Sequence, residues 1–160
     1  MSQARVTAVF LAQERETPMK RVDEALAVEG RGLEGDRHAK KQRRGGKRQV
    51  LLMDAQNLRA LGLPEGVLKE NVVVDAMPVP LEELPPGQRL RLGEAVVELT
   101  EQCVPCHKLE RIRPGLLKES WGRRGQLARV IGSGVIREGD SVVLLDVNPD
   151  APKPIRPKLP

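Results

Sequence analysis

The chain has 160 residues, enough for one domain with a real hydrophobic core and too few for two ordinary ones. Its formal net charge of +5 favours an anionic partner, and a single phenylalanine and a single tryptophan, with no tyrosine, require an aliphatic core whose valines lean towards strands. No apolar run approaches the ~20 residues of a membrane-spanning helix, no basic-then-apolar leader opens the chain, and Cys103 and Cys106 lie too close to staple a fold, so a reducing, cytoplasmic setting without a membrane partner is expected.

Val6 to Leu11 reads as a first strand and Val22 to Val28 as a second, joined through a polar turn at Glu16 to Lys20. Gly30, Gly32 and Gly35 then break the pattern, a spacing that suits backbone with positive φ or backbone pressed against a ligand. This loop feeds Arg37, Lys40, Lys41, Arg43, Arg44, Lys47 and Arg48, a run of cations with no acid among them. Such a run predicts a focused positive potential for an anion, against the plainer reading of a solvated loop.

Gln49 to Met53 reads as a short strand, and Asp54 is placed to cap a helix through Leu58 and Leu61 that Gly62 stops. Asn71 to Val74 reads as a strand, and Pro78, Pro80, Pro85 and Pro86 make the next stretch a loop. Arg89 to Leu92, a turn at Gly93-Glu94, and Ala95 to Leu99 predict a β-hairpin leading to the cysteines. Short helices are expected over Lys108 to Ile112 and from Pro114 to Trp121, then strands at Gln126 to Ile131 and Ser141 to Leu145, with Gly132, Gly134, Gly139 and Asp140 in turns. So many short strands, with turn signals between them, predict a mainly β fold: a closed or nearly closed β-barrel with a few short helices, forming one domain over 1–147. Five prolines after Asn148 predict a disordered tail over 148–160.

Cys103-Val104-Pro105-Cys106-His107 matches three known patterns by string. As a c-type haem attachment sequence it conflicts with the missing export signal and the scarcity of aromatics. As a zinc site it has Cys103, Cys106, His107 and His38 but no second clear ligand pair. As a redox dithiol it follows a hairpin rather than the strand of a βαβ unit. A fourth reading is a single activated thiolate at Cys106, with Lys108, Arg111 and Arg113 nearby in sequence to favour its ionised form, the form that accepts sulfur or ligates a soft metal. The alternative of a small buried hydrophobe remains open for either cysteine.

In order along the chain, Gly32-Leu33-Glu34-Gly35-Asp36-Arg37-His38, Arg48-Gln49-Val50, Glu70-Asn71, Gly87 to Gly93, Pro105-Cys106, Gly125 and Gly139-Asp140 together resemble the MOSC domain, the C-terminal module of molybdenum-cofactor sulfurases that also occurs as free-standing bacterial proteins. The resemblance runs from about Arg5 to Val147. It implies a strand-rich, barrel-like fold and a cysteine, here Cys106, that carries persulfide sulfur or binds molybdenum of the molybdopterin cofactor. Pocket residues expected near it are Arg37, His38, Arg48 and Gln49, with Gly32 and Gly35 supplying backbone amides and Asn71 a further polar contact, because a phosphate-bearing pterin needs cations and close N–H groups.

Full sulfurases add a pyridoxal-phosphate-dependent domain for which this chain has no room. Pyridoxal phosphate is therefore not expected, and sulfur is expected from a separate donor such as a cysteine desulfurase. Free-standing relatives add a molybdenum-dependent reduction of N-hydroxylated bases as one branch of the same function. Two rival readings stand beside it. The first is a basic nucleic-acid-binding module, weakened because Phe10 and Trp121 make no stacking platform; the second is a structural domain with inert cysteines.

Overall fold

The computed structural model describes residues 3–41 and 46–152. The tip of the basic loop, with Arg43 and Arg44, lies outside the described residues, as do the side chains of Lys40 and Lys41 and the tail from Lys153. The chain runs through β1 (Arg5–Leu11), β2 (Lys20–Val22), β3 (Glu24–Val28), β4 (Gly32–Leu33), α1 (Arg37–Lys41), β5 (Val50–Asp54), α2 (Ala55–Leu61) and β6 (Val72–Asp75). It continues through β7 (Gln88–Leu92), β8 (Ala95–Gln102), a 3-10 turn over His107–Arg111, α3 (Leu116–Glu119), β9 (Gln126–Gly132), β10 (Gly134–Arg137) and β11 (Val142–Val147).

Eight strands form one mixed sheet in the order β11-β7-β8-β9-β5-β6-β1-β2, and a second sheet of three runs β10-β3-β4. The expected closed or nearly closed β-barrel is corrected accordingly: neither sheet is closed. The physical reason is visible where the two ends of the large sheet approach. Arg5 and Ser141 make one isolated bridge, flanked by Val6 N–H to Asp140 O and Val142 N–H to Ala4 O, and no ladder grows from it. On the other half of β1, the three-residue β2 pairs Val22 with Val9, and the chain then leaves for the small sheet.

The layering follows from side-chain alternation. On β1, Val6, Val9 and Leu11 face one cluster while Ala8 and Phe10 face the other; the spacing of three between Val6 and Val9 comes from a β-bulge that shifts register between Val6 and Ala8. Likewise Leu52, Val72 and Val74 point to one side, Met53 and Val73 to the other. The first side is covered by the small sheet through Ala27, Leu33 and Ile136. The second is covered by α2 through Leu58 and Leu61, and by Leu109 and Leu116 from the segment after the cysteines. Each such leucine contributes roughly 1.5–3 kcal/mol by burial. β5 is buried along its whole length, as expected for a central strand that pairs parallel with β6 across the α2 crossover.

The predicted helix after Asp54 is present: Asp54 accepts from Gln56 N–H at 2.9 Å, and Gly62 N–H closes the last turn on Arg59 and Leu58 carbonyls. The hairpin is also present as β7 and β8. Two expectations change. Val22 to Val28 is split at Asp23 between two sheets, and Gly134, placed in a turn, instead opens a strand over Gly134–Arg137 because the segment pairs with β3. After β11, Asn148 N–H donates to Gly87 O at 2.8 Å, so the first residues beyond Val147 are held on the turn before β7.

The second carboxylate oxygen of Asp54 accepts from Leu81 N–H at 3.3 Å, joining α2 to the proline-rich loop. Asp54→Ala is expected to lower stability by about 1–2 kcal/mol, read from the midpoint of urea unfolding, with Asp54→Asn recovering part of the loss.

Candidate functional site

Glycine permits the close approach that starts the site. At Gly32 a Cβ would lie 3.2 Å from the Gln49 carbonyl oxygen, and at Gly35 one would lie 3.3 Å from Leu11 Cδ1, so the loop rests directly on the start of β5 and the end of β1. Asp36 then fastens it. Fully buried, Asp36 accepts at Oδ1 from Ala12 N–H (2.7 Å) and Asn71 Nδ2 (3.0 Å), and at Oδ2 from His38 N–H (3.1 Å), with His38 Nδ1 also at 2.8 Å. Burial pushes the Asp36 carboxyl up, but the His38 bond and the Ala12 N–H outweigh it and hold the group below the usual carboxylate range. Arg37 N–H closes the loop on Ala12 O at 2.7 Å.

Asn71 is committed to the framework: its carbonyl accepts from Leu51 N–H and its amide donates to Phe10 O and to Asp36. Gln49 accepts from Val130 N–H at 2.9 Å, while its buried Nε2 has no partner. Arg48 is largely exposed, 3.7 Å from Glu101, and its charge reaches Cys103. The predicted residues thus fall into two groups. Gly32, Gly35, Arg37, His38 and Asn71 gather around Asp36, and Arg48 belongs with the cysteines; Gln49 links them along the chain.

The cysteine loop hangs between β8 and the start of β9. Cys103 N–H donates to Gly125 O at 2.9 Å, Gly125 N–H donates to Glu82 at 2.8 Å, and Gln102 Nε2 donates to Glu82 O. Cys106 is exposed and opens the 3-10 turn, where its carbonyl accepts from Leu109 N–H at 3.0 Å and buried Leu109 anchors the turn in the core. Arg113, just beyond, donates to Leu61 O at 2.8 Å and ties the segment to α2. Cys103 is half-buried, and burial pushes its thiol up against the opposing charges of Arg124 and Arg48.

Between this turn and β1 lies an open groove of about 710 Å³. Phe10, Met19, Leu68 and Leu109 give it an apolar wall, and Cys106, Lys108, Arg111 and Arg124 also line it. Cys106 lines it together with Lys108 and Arg111, two of the cations expected to favour its thiolate, whereas Gly32, Gly35, Arg37, His38, Arg48, Gln49 and Asn71 do not line it. Among the described residues no three His, Cys, Asp or Glu side chains are grouped to hold a metal, so the zinc set of Cys103, Cys106, His107 and His38 is not assembled.

Sequence reasoning missed Arg124 and Glu82. Arg124 is only 9 % exposed with Nη1 unpartnered, and its charge acts on Cys103, Glu70 and Glu82. Its one signal was position, directly before Gly125. Glu82 sits in a 3-10 turn over Leu81–Glu83, within a proline-rich stretch that carries no motif, and desolvation is its main influence: burial pushes its carboxyl from the ordinary 4.5 up to about 7, against the Gly125 N–H. A carboxyl raised in the folded state keeps its proton longer than in the unfolded chain, so its contribution to stability is complete below about 4.5 and is lost as pH rises through about 7. Glu70 is pushed up by burial in the same direction. Between the acid and the basic side of that window the urea midpoint is expected to fall more for the parent chain than for Glu82→Gln, which is permanently neutral.

Residues 34–143 match the MOSC domain. No curated protein matches the chain. Among solved structures it is similar to the YuaD protein from Bacillus subtilis (TM-score 0.70, 21% identity, covering 88% of this chain and 94% of that one). It is also similar to YiiM from Escherichia coli (TM-score 0.64, 21% identity, 92% and 72%) and to YiiM from Geobacillus stearothermophilus (TM-score 0.65, 16% identity, 89% and 75%). At these identities the solved structures speak for the fold. With residues 34–143, two thirds of its length, matched to one domain family, the chain belongs to the MOSC domain family.

Proposed function

We propose that the chain is a molybdenum-cofactor protein in which the Cys106 thiolate ligates molybdenum or carries sulfur as a persulfide. One observation carries this reading: Cys106 is exposed at the head of a pinned turn, on the wall of a groove that also holds the buried cation Arg124. Cys103, half-buried and with its thiol pushed up by burial, is the poorer nucleophile of the two.

The donor set fits the cofactor. Because no cluster of three ligating side chains exists among the described residues, a metal here takes one protein thiolate and brings its other ligands with it, as a molybdenum held by the sulfurs of its own pterin does. The unpartnered donor Gln49 Nε2, packed beside Gly32 of the glycine loop, is a group that an acceptor-rich cofactor satisfies. When bound, molybdopterin supplies two-electron exchange at its metal, which is the basis for the branch that reduces N-hydroxylated compounds. The chain's own part is to present the Cys106 sulfur, to offer the cation Arg48 to the pterin's phosphate, and to keep His38 oriented through Asp36.

In the sulfur-carrying form, Cys106 Sγ attacks the terminal sulfur of a persulfide on a separate donor such as a cysteine desulfurase. The donor's S–S bond breaks, its thiolate leaves with the electron pair, and Cys106 holds the transferred sulfur, with no external oxidant required. A reducing, cytoplasmic setting suits two free thiols this close together.

Protein purified from cells that make the cofactor is expected to show one added sulfur on Cys106 by intact mass without reductant, or bound pterin with molybdenum by elemental analysis. Cys106→Ser removes the added species completely and Cys103→Ser retains it. Neither species on the parent chain, or the same yield from Cys106→Ser, overturns the proposal.

A further inference from the structure

The groove beside Cys106 has more structure than a sulfur carrier needs. Its apolar wall is the outer surface of the cluster that buries Phe10, Leu68 and Leu109, so it is a preformed, rigid face. Its volume of about 710 Å³ lies in the range of small-molecule sites. Arg124 lies within the field of the buried Glu70 and Glu82, neither of which gives its Nη1 a hydrogen bond, and the carboxylates on the groove's rim are already matched. Glu16 is matched by Lys108 at 3.6 Å and Glu65 by Arg21 at 3.3 Å, while Lys69 donates to Thr17 O at 2.8 Å. Among the described residues Arg111 is exposed with no carboxylate partner, and Arg124 keeps a buried, unpartnered Nη1 although only 9 % of the residue is exposed. An unsatisfied guanidinium N–H in such a place is costly unless a ligand supplies an acceptor.

We propose that this groove is the substrate subsite of Cys106 and takes a small organic anion with an apolar body, its carboxylate or equivalent oxyanion on Arg124 and Arg111 and its body on the partly exposed side chains of Met19, Val67 and Ile112, which also line the groove. The inference rests on Cys106 being the working thiol and names the class of molecule brought to it. Guanidinium suits a carboxylate because its N–H groups are paired and planar, and the apolar wall adds affinity by removing the ligand's body from water.

The test uses the full chain without cofactor and measures how fast iodoacetamide alkylates Cys106, resolved by peptide mass, in the presence of phenylbutyrate, phenylbutanol or butyrate. Phenylbutyrate is expected to slow alkylation saturably, phenylbutanol to need about tenfold higher concentration because it lacks the charged acceptor, and butyrate to give no protection. Arg111→Glu, an exposed change that leaves the core intact, is expected to abolish the preference for the acid over the alcohol. Equal protection by acid and alcohol overturns the anion subsite; equal protection by butyrate overturns the apolar body; no protection by any of the three overturns the groove as a ligand site. Each of these outcomes is distinguishable from failure of the sulfur or molybdenum reading, because that reading is scored by intact mass and metal content on Cys106 rather than by groove occupancy.

Discussion

At Gly125 the chain enters β9 with φ of +103° and no space for a side chain, since a Cβ there would collide with the Leu52 carbonyl oxygen. Both of its backbone groups are committed to the site. The N–H donates to the Glu82 carboxylate and the carbonyl accepts from Cys103 N–H, so one residue links the central strand β5, the proline-rich loop and the start of the cysteine loop. Any side chain at this position pushes β9 away from β5 and moves the cysteine loop with it. The position of the thiols is thus set by backbone packing, upstream of any property of the thiols themselves.

Two buried anchors act on the rest. Asp36 gathers the glycine loop, the end of β1 and Asn71 at one point, and Leu109 seats the turn after Cys106 in the cluster beneath the large sheet. Between them, over the buried Phe10 and Leu68, lies a strip of Met19 and Val67 that neither α2 nor the cysteine segment covers completely. The groove is therefore a consequence of layering: the two short helical pieces after the cysteines are too small to cover the face that α2 begins to close. Nothing in the cavity has to open for a ligand to reach the exposed sulfur.

The elements whose shape is fixed locally were legible in the residues. Asp54 and Gly62 bounded α2, and the alternation about Gly93-Glu94 defined the β7–β8 hairpin, because capping and turn chemistry act within a few residues. β10 was not legible, since its strand character comes from pairing with β3 more than a hundred positions away, and its flanking glycines signal turns. Strand count suggested closure, but closure depends on whether distant edges form a ladder, and here they meet at one bridge. The exposed cysteine was legible from its motif. Arg124 and Glu82 were not, because a single charged residue in a polar stretch gains meaning only when folding buries it beside another. Asn71 was read as a ligand contact, and every one of its side-chain bonds described here goes to protein.

The unclosed sheet also has a bearing on self-association. An open β rim offers unpaired amides and carbonyls to any passing extended chain. On this molecule one half of the β1 margin is taken by β2, a strand of three residues whose first two, Lys20 and Arg21, are exposed cations, and the other half by the segment around Ser141. A second chain approaching this margin to add a strand meets a ledge of three residues, too short for a stable ladder, so the rim left for strand addition is the opposite one, at β11, where Val143 and Val147 are exposed.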